Sequence, residues 1–333
     1  MRSKKLFVLF TLILGAMVLL AACGDKTKIA IGPSGSETNN ISKEILKAYG
    51  ITDKDYEEFT EGFGDAADQV QDGNIEVSIG VLGLPAGSIE NLQAQSGDVV
   101  MLSLSDEVVK TLEENTSYKG YTIPKESYDF LEEDVQTIAA FAILVGNTNT
   151  ISEELGYQLA KAMIEHADEI THAQGRQITL ENALNGAEGL PIHPGAKRYY
   201  EEQGLTVNNP VAELNVSDAD QPDKIVLGTG SAGGTYYPLG GELTNVWGKY
   251  IDGISFTPQE TGASIENLSS IRDDKMDLGM TVHGPALHAL NGEGVFEGAS
   301  VENFAFIGHI YPEVVQIISR EAFGIKSFED IKK

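Results

Sequence analysis

Lys224-Ile-Val-Leu-Gly228 runs into Thr229-Gly-Ser-Ala-Gly-Gly-Thr-Tyr-Tyr-Pro238, and then into a stretch carrying Leu239, Leu243, Val246 and Trp247 at helical spacing. A short apolar run, a glycine-rich turn and a 3.6-residue apolar period read as a buried strand, a tight loop and an amphipathic helix. The same order occurs near the start of the chain, where Lys28-Ile-Ala-Ile-Gly32 leads through Pro33-Ser-Gly-Ser36 to Ile41, Ile45, Leu46 and Tyr49. Each unit also continues alike. Residues 63–70 pass through the polar Gln71-Asp72-Gly-Asn to Ile75-Glu-Val77, and residues 264–271 pass through Arg272-Asp273-Asp-Lys to Met276-Asp-Leu278. Two such units predict two α/β lobes, each with its loops at the carboxyl ends of its strands and a ligand cleft between them.

The rest of the chain fits that plan. Residues 75–81, 98–104, 137–146, 304–310 and 314–320 read as strands. Residues 152–170 read as a helix with Ser152 as N-cap and Glu153 and Glu154 in its first turn, its stripe of Leu155, Leu159, Met163 and Ile164 being core. Residues 206–223 are polar and hold two prolines, the composition of a surface linker. The expected organisation is one lobe over 28–128, a second lobe assembled from 129–205 and 224–333, and the linker 206–223 between those two parts.

The chain opens with Met-Arg-Ser-Lys-Lys, an apolar stretch over 6–20 and Ala21-Ala22-Cys23-Gly24, the layout of a secretory signal. An apolar run of this length also approaches what spans a bilayer. Leu20-Ala21-Ala22-Cys23 resembles the lipobox of bacterial lipoproteins, which implies cleavage after residue 22, a diacylated Cys23, a short tether over 23–27 and anchoring to the outer face of the cytoplasmic membrane. Two acyl chains meet the requirement for durable attachment, because each buried methylene contributes only about 0.8 kcal/mol. Cys23 is the single cysteine, so no disulfide forms within the chain.

Loss of residues 1–22, which hold Arg2, Lys4 and Lys5 and no acid, takes the net charge from -27 to -30. Nucleic acid is excluded as a partner, since no basic stripe is present to neutralise phosphates. The glycine loops favour another ligand. They let a ligand approach the backbone, and the unpaired N–H groups of the following helical turn then meet an anion. A small carboxylate is the ligand class this implies.

Gly228-Thr-Gly230-Ser-Ala-Gly233 also matches the dinucleotide fingerprint, but Asp252 precedes the next strand and only Glu260 follows it, so the confirming acid is out of place. His166, His172, His193, His283, His288 and His309 show no metal-binding spacing, and no cofactor is called for. His283 alone follows a strand, 276–281, at the expected cleft end and is a candidate donor to an anion. No nucleophile–base or paired-carboxylate arrangement emerges, so nothing demands an enzyme.

Residues 228–240, Thr261-Gly-Ala-Ser-Ile-Glu-Asn-Leu268, Met276-Asp-Leu-Gly279, Ile310-Tyr-Pro-Glu-Val-Val315 and residues 324–332 resemble the TAXI family of TRAP-transporter solute receptors. The span from Ile29 to Tyr200, with Gly83-Leu-Pro85 and Leu190-Pro-Ile-His-Pro-Gly195, resembles that family's second half. The resemblance implies a two-lobed, type II periplasmic-binding fold, a TRAP membrane subunit as partner, and a glutamate-like or dicarboxylate ligand. It carries ligand contacts onto Gly230, Ser231, Gly233, Gly234, Thr235, Tyr236, Thr261, Ser264, His283 and Tyr311, with Gly35 and Ser36 across the cleft. Where the family has Gly-Ser-Gly-Thr, this chain has Gly35-Ser36-Glu37-Thr38, and Glu37 is expected to compete with an anionic ligand for the helix N–H groups. The halves stand in circularly permuted order, which implies a C-terminal segment beside residue 28 and a single covalent connection for the lobe over 28–128. A rearranged tandem whose halves pair between chains is the alternative. An ABC importer's binding protein and a membrane-tethered sensor share the architecture and are the competing functions.

Overall fold

The computed structural model describes residues 26–332. The signal expected over 1–22, Cys23 with the expected tether as far as Asp25, and Lys333 lie outside the described residues. The first half holds β1 (Thr27–Ala30), α1 (Glu37–Ala48), β2 (Tyr56–Phe59), α2 (Phe63–Asp72), β3 (Val77–Leu82), α3 (Gly87–Ser96), β4 (Val99–Met101), α4 (Asp106–Asn115), β5 (Lys119–Ile123) and the long β6 (Val135–Asn147). There follow α5 (Glu153–Glu165), α6 (Pro194–Glu202), β7 (Lys224–Gly228), α7 (Tyr236–Tyr250), β8 (Ser255–Gln259), α8 (Ser264–Arg272), β9 (Leu278–Val282), α9 (His283–Asn291) and β10 (Phe304–Arg320).

The sheet order is β2-β1-β3-β10-β6-β9-β7-β8. In one wing β1 runs parallel to β2 and β3, and in the other β7 runs parallel to β8 and β9. The pattern read twice in the sequence is therefore built twice, once in each lobe of a mixed α/β fold. The inner parallel strands are covered on both faces, which accounts for the buried Ile29 and Ala30 of β1, Ile225 and Leu227 of β7, and the whole of β9. The second-lobe core gathers Leu155, Leu159 and Met163 of α5 against Leu227, Leu239 and Trp247, whose indole Nε1 donates to Leu159 O at 3.2 Å.

Two strands cross from lobe to lobe. β6 pairs with β5 over Val135–Ala139 and with β9 over Ala142–Gly146. β10 pairs with β6 from Phe304, and beyond Pro312 it joins β3 over Val314–Ile318 and β4 over Ile318–Arg320. The two strands expected over 304–310 and 314–320 are thus one strand of 17 residues. Pro312 is tolerated because it falls where β10 passes from the ladder of one lobe to that of the other, so its missing N–H costs little.

This crossing corrects the lobe boundaries. Val315, Ile317, Ile325, Phe328 and Ile331 pack with Ile29, Ile31, Ile41 and Ile45, so residues 314–332 belong with the lobe begun by β1 rather than with 224–313. The lower part of β6 belongs there too, which moves the 128/129 boundary into β6. The lobes are joined by two strands, where the sequence order implied a single connection. The C-terminal segment runs beside β1, with Thr27 Oγ1 donating to Ile331 O at 3.2 Å and Phe328 stacked on Tyr49 at 4.0 Å.

Smaller departures have local causes. The helix expected over 152–170 stops at Glu165, since His166 leaves helical geometry (φ -121°, ψ 23°) and a single 3-10 turn follows. Its start is as read, with Ser152 Oγ accepting from Leu155 N at 3.3 Å. β2 and β5 carry Glu57, Glu58 and Lys119 and are largely exposed, so they lack the apolar signal that marks their neighbours.

Candidate functional site

Between the lobes lies a cavity of about 60 Å³. From the first lobe it is lined by Gly32, Ser36, Glu37, Glu61, Phe63 and Ser78, from the second by Gly230, Ser231, Gly234, Thr235, Tyr236, Thr261, Ala263 and Ser264, and from the crossing strand by Glu313. The first residues of α1, α2, α7 and α8 all stand on this wall, so four helix N-termini converge on one small space. Each presents unpaired N–H groups and the positive end of its dipole to whatever occupies the centre.

The loops are fixed from behind. Gly32 has φ +85°, and a Cβ there would come within 2.7 Å of Thr38, so only glycine makes this turn. Ser36 caps α1 by accepting from Asn39 N at 3.1 Å, and Asn39 Nδ2 returns to Gly32 O at 3.1 Å. In the other lobe, buried Asn267 donates to Thr229 O and Met280 O, both at 2.8 Å, tying the glycine loop to β9. Thr261 Oγ1 is bonded to Asn267 Oδ1 at 2.8 Å and accepts from Ala263 N, while Ser264 Oγ accepts from Val282 N. Ala263 itself holds φ 66°, a conformation that costs a non-glycine residue on the order of 1–3 kcal/mol and is retained here beside the cavity.

The lobes touch at the cavity mouth. A Cβ on Gly233 would sit 2.4 Å from Gly64 Cα, and one on Gly62 would sit 2.8 Å from Ser231 Cβ. Deeper in, Gly83 N donates across the cleft to Thr235 Oγ1 at 2.9 Å.

Among the expected contacts, Gly230, Ser231, Gly234, Thr235, Tyr236, Thr261, Ser264 and Ser36 all line this cavity. Gly233 stands at the mouth, facing Gly64. Gly35 is exposed, with φ +77°, and shapes the turn without reaching the cavity. Tyr311 is fully buried behind the wall, where its hydroxyl donates to Glu313 Oε1 at 2.7 Å and its ring meets that of Tyr236 edge-on. His283 is not in the cleft. Its Nε2 is bonded to Glu188 O at 2.8 Å, and it lines a separate groove with Phe141 and Leu287, because α9 begins there and turns the side chain outward.

Glu37 does not take the helix N–H groups as expected; its carboxyl turns to Asn40 and Tyr118. Two other carboxylates do hold loop amides, Ala232 N donating to Glu260 at 2.8 Å and Gly262 N to Glu266 at 2.6 Å. Sequence reasoning missed Glu313, Glu61, Ser78 and Gly64. Glu313 had a signal, a charged residue inside the apolar run from Phe304 to Ile318.

Burial dominates the electrostatics. It pushes Glu313 up to about 8 despite the hydroxyls of Tyr311 and Tyr236, and it pushes Glu37 up to about 7. The hydroxyls of Tyr118, Tyr236 and Tyr311 are held well above their usual range by burial and by these carboxyls. No Lys, Arg or His is among the residues lining the cavity. Among the described residues, no group of three or more His, Cys, Asp or Glu is placed to hold a metal ion, and no helix is long and apolar enough to cross a membrane.

Among solved structures, the chain is similar to the binding protein of an ABC phosphonate transporter from Pseudomonas aeruginosa, at 7% identity and a TM-score of 0.42, over 93% of this chain and 72% of that one. It is also similar to a phosphate-binding protein of a phosphate ABC transporter from Streptococcus pneumoniae, at 11% identity and a TM-score of 0.39, over 92% of this chain and 94% of that one. The family comparison reaches both lobes: the NMT1-like family model matches residues 23–204 and 227–333, and the chain belongs to the NMT1-like family.

Proposed function

We propose that the protein is an extracytoplasmic receptor that captures a small carboxylate in the cleft between its lobes and delivers it to a membrane transporter. The observation that carries this reading is the convergence of α1, α2, α7 and α8 on one cavity at the junction of two lobes joined by only two strands. Such an arrangement binds a small anion through backbone N–H groups and can close on it by a hinge in β6 and β10. Within the same loops Ala232 N and Gly262 N donate to the carboxylates of Glu260 and Glu266, so amides of this kind pair with carboxylate oxygens, and a ligand is left the other amides of the four helix N-termini.

The transporter is proposed to be of the TRAP type with a TAXI-like receptor, in keeping with the motifs at 228–240 and 261–268, both of which wall the cavity. The permuted order of the halves is supported by the contacts of Thr27 with Ile331 and of Tyr49 with Phe328, made within one chain. Titration calorimetry of the full-length protein in detergent against amino acids and carboxylates tests the reading. Saturable binding of a small carboxylate at one site per chain is expected, and binding confined to neutral sugars would refute it.

Membrane attachment is proposed to rest on lipid at Cys23. Cys23→Ser is expected to shift the protein from the membrane pellet to the soluble fraction or to leave the precursor unprocessed. A processed, membrane-bound variant would rule the lipid anchor out.

A further inference from the structure

Resting on the carboxylate reading, we infer that Glu313 determines specificity as a donor: it meets the ligand as a neutral carboxylic acid, donates a hydrogen bond to a ligand oxygen, and opposes the anion once it ionises. The cavity wall sets the problem. Four helix N-termini favour an anion, yet Glu37, Glu61 and Glu313 line the same cavity and no cationic side chain does. An ionised Glu313 would repel the anion that the helix ends attract. In its acid form it joins them instead, since a carboxyl kept neutral by an apolar site is a hydrogen-bond donor.

Glu313 is placed for that form. It is only 4% exposed, its ladder partner on β6 is Ala140, and Val81, Leu82 and Val282 share the cavity wall, so a charge on it has little water to solvate it. The Tyr311 hydroxyl donates to Oε1 at 2.7 Å, which fixes the carboxyl and leaves Oε2 to carry the proton. Ser78 adds a second neutral donor. Its Oγ is fully buried, lines the cavity and has no hydrogen-bond partner, so it is open to an acceptor that a ligand brings.

The titratable groups facing Glu313 are Glu37, Glu61, Tyr118, Tyr236 and Tyr311, and none of them brings a positive charge. Burial raises Glu313 to about 8 and Glu37 to about 7, so the acid form of Glu313 predominates at neutral pH. An arriving anion raises Glu313 further. Binding near pH 8 therefore draws protons in, and affinity falls as pH rises past that point, by about tenfold for each unit of added shift.

The test titrates the full-length protein in detergent with acetate, glutarate and L-glutamate at pH 6.5 and pH 9, and at pH 8 in buffers of different ionisation enthalpy to count protons. Wild type is expected to lose at least about 5-fold in affinity between pH 6.5 and pH 9 and to take up protons at pH 8, a count that needs no variant. Glu313→Gln, an amide donor at every pH, is expected to bind at least about 5-fold tighter than wild type at pH 9. Glu313→Leu, which has no donor, is expected to bind at least about 10-fold weaker than Glu313→Gln at both pH values. Wild-type affinity equal at the two pH values, proton release, Glu313→Gln weaker than wild type at pH 9, or Glu313→Leu equal to Glu313→Gln overturns the inference and leaves the carboxylate reading standing. Binding of none of the three probes at either pH overturns both.

Discussion

Gly64→Ala and Gly233→Ala are each expected to weaken ligand binding by about 100-fold or more, the loss when a ligand keeps its contacts to one lobe and forfeits those to the other. The cause is steric and sits at the mouth of the cleft, where each new Cβ would lie 2.7 Å or closer to the Cα of the opposing glycine. Neither residue has a positive φ, so alanine is compatible with the open lobes. Gly64 lies in α2, where alanine improves helix propensity by roughly 0.5–1 kcal/mol. The expected signature is therefore a protein of unchanged or higher melting temperature that binds poorly in calorimetry. Wild-type affinity in both variants would mean that binding does not require the lobes to meet here.

Glu313→Gln is expected to stabilise the ligand-free protein at alkaline pH and to leave it nearly unchanged in acid. Burial raises Glu313 from its ordinary 4.5 to about 8, and Glu37 to about 7, so the folded state holds protons that the unfolded chain has already lost. The stability they confer is full below pH 4.5 and is lost as pH rises to about 8. Buried His193 and His309 act in the opposite sense, since both are lowered to about 4 and contribute above pH 6.5. They are common to wild type and variant and cancel in the difference. The amide removes a buried charge, so the gain at pH 9 is on the order of 1–3 kcal/mol, or a few degrees in Tm. Equal Tm differences at pH 5 and pH 9 would show that Glu313 is not held protonated by the fold.

The duplicated strand–loop–helix unit was legible because its apolar periods and glycine turns are local, and β1, α1, β7 and α7 begin within a few residues of where the sequence places them. Ser152 was legible as a cap for the same reason, while Gly230, Ser231, Gly234, Thr235, Tyr236, Thr261 and Ser264 came to the cavity wall through the family resemblance of their motifs. What escaped was long-range. The crossing of β10 through Pro312 depends on which partner strand lies alongside, and no sequence period records that. His283 was misplaced because strand-end position fixes where a residue sits and leaves open which side the next helix turns it toward. Glu61 and Ser78 entered the site only through the meeting of lobes, and Gly64 is marked by a contact with Gly233, a residue 169 positions away.

A crystal structure grown with the tightest-binding small carboxylate is the most direct test that these lobes form a receptor closing on a solute. The account predicts density filling the cavity between Ser36 and Gly230–Tyr236, with its carboxylate on the free amides of the helix N-termini. Ligand density in the groove beside His283 and Phe141, with the inter-lobe cavity empty, would contradict it.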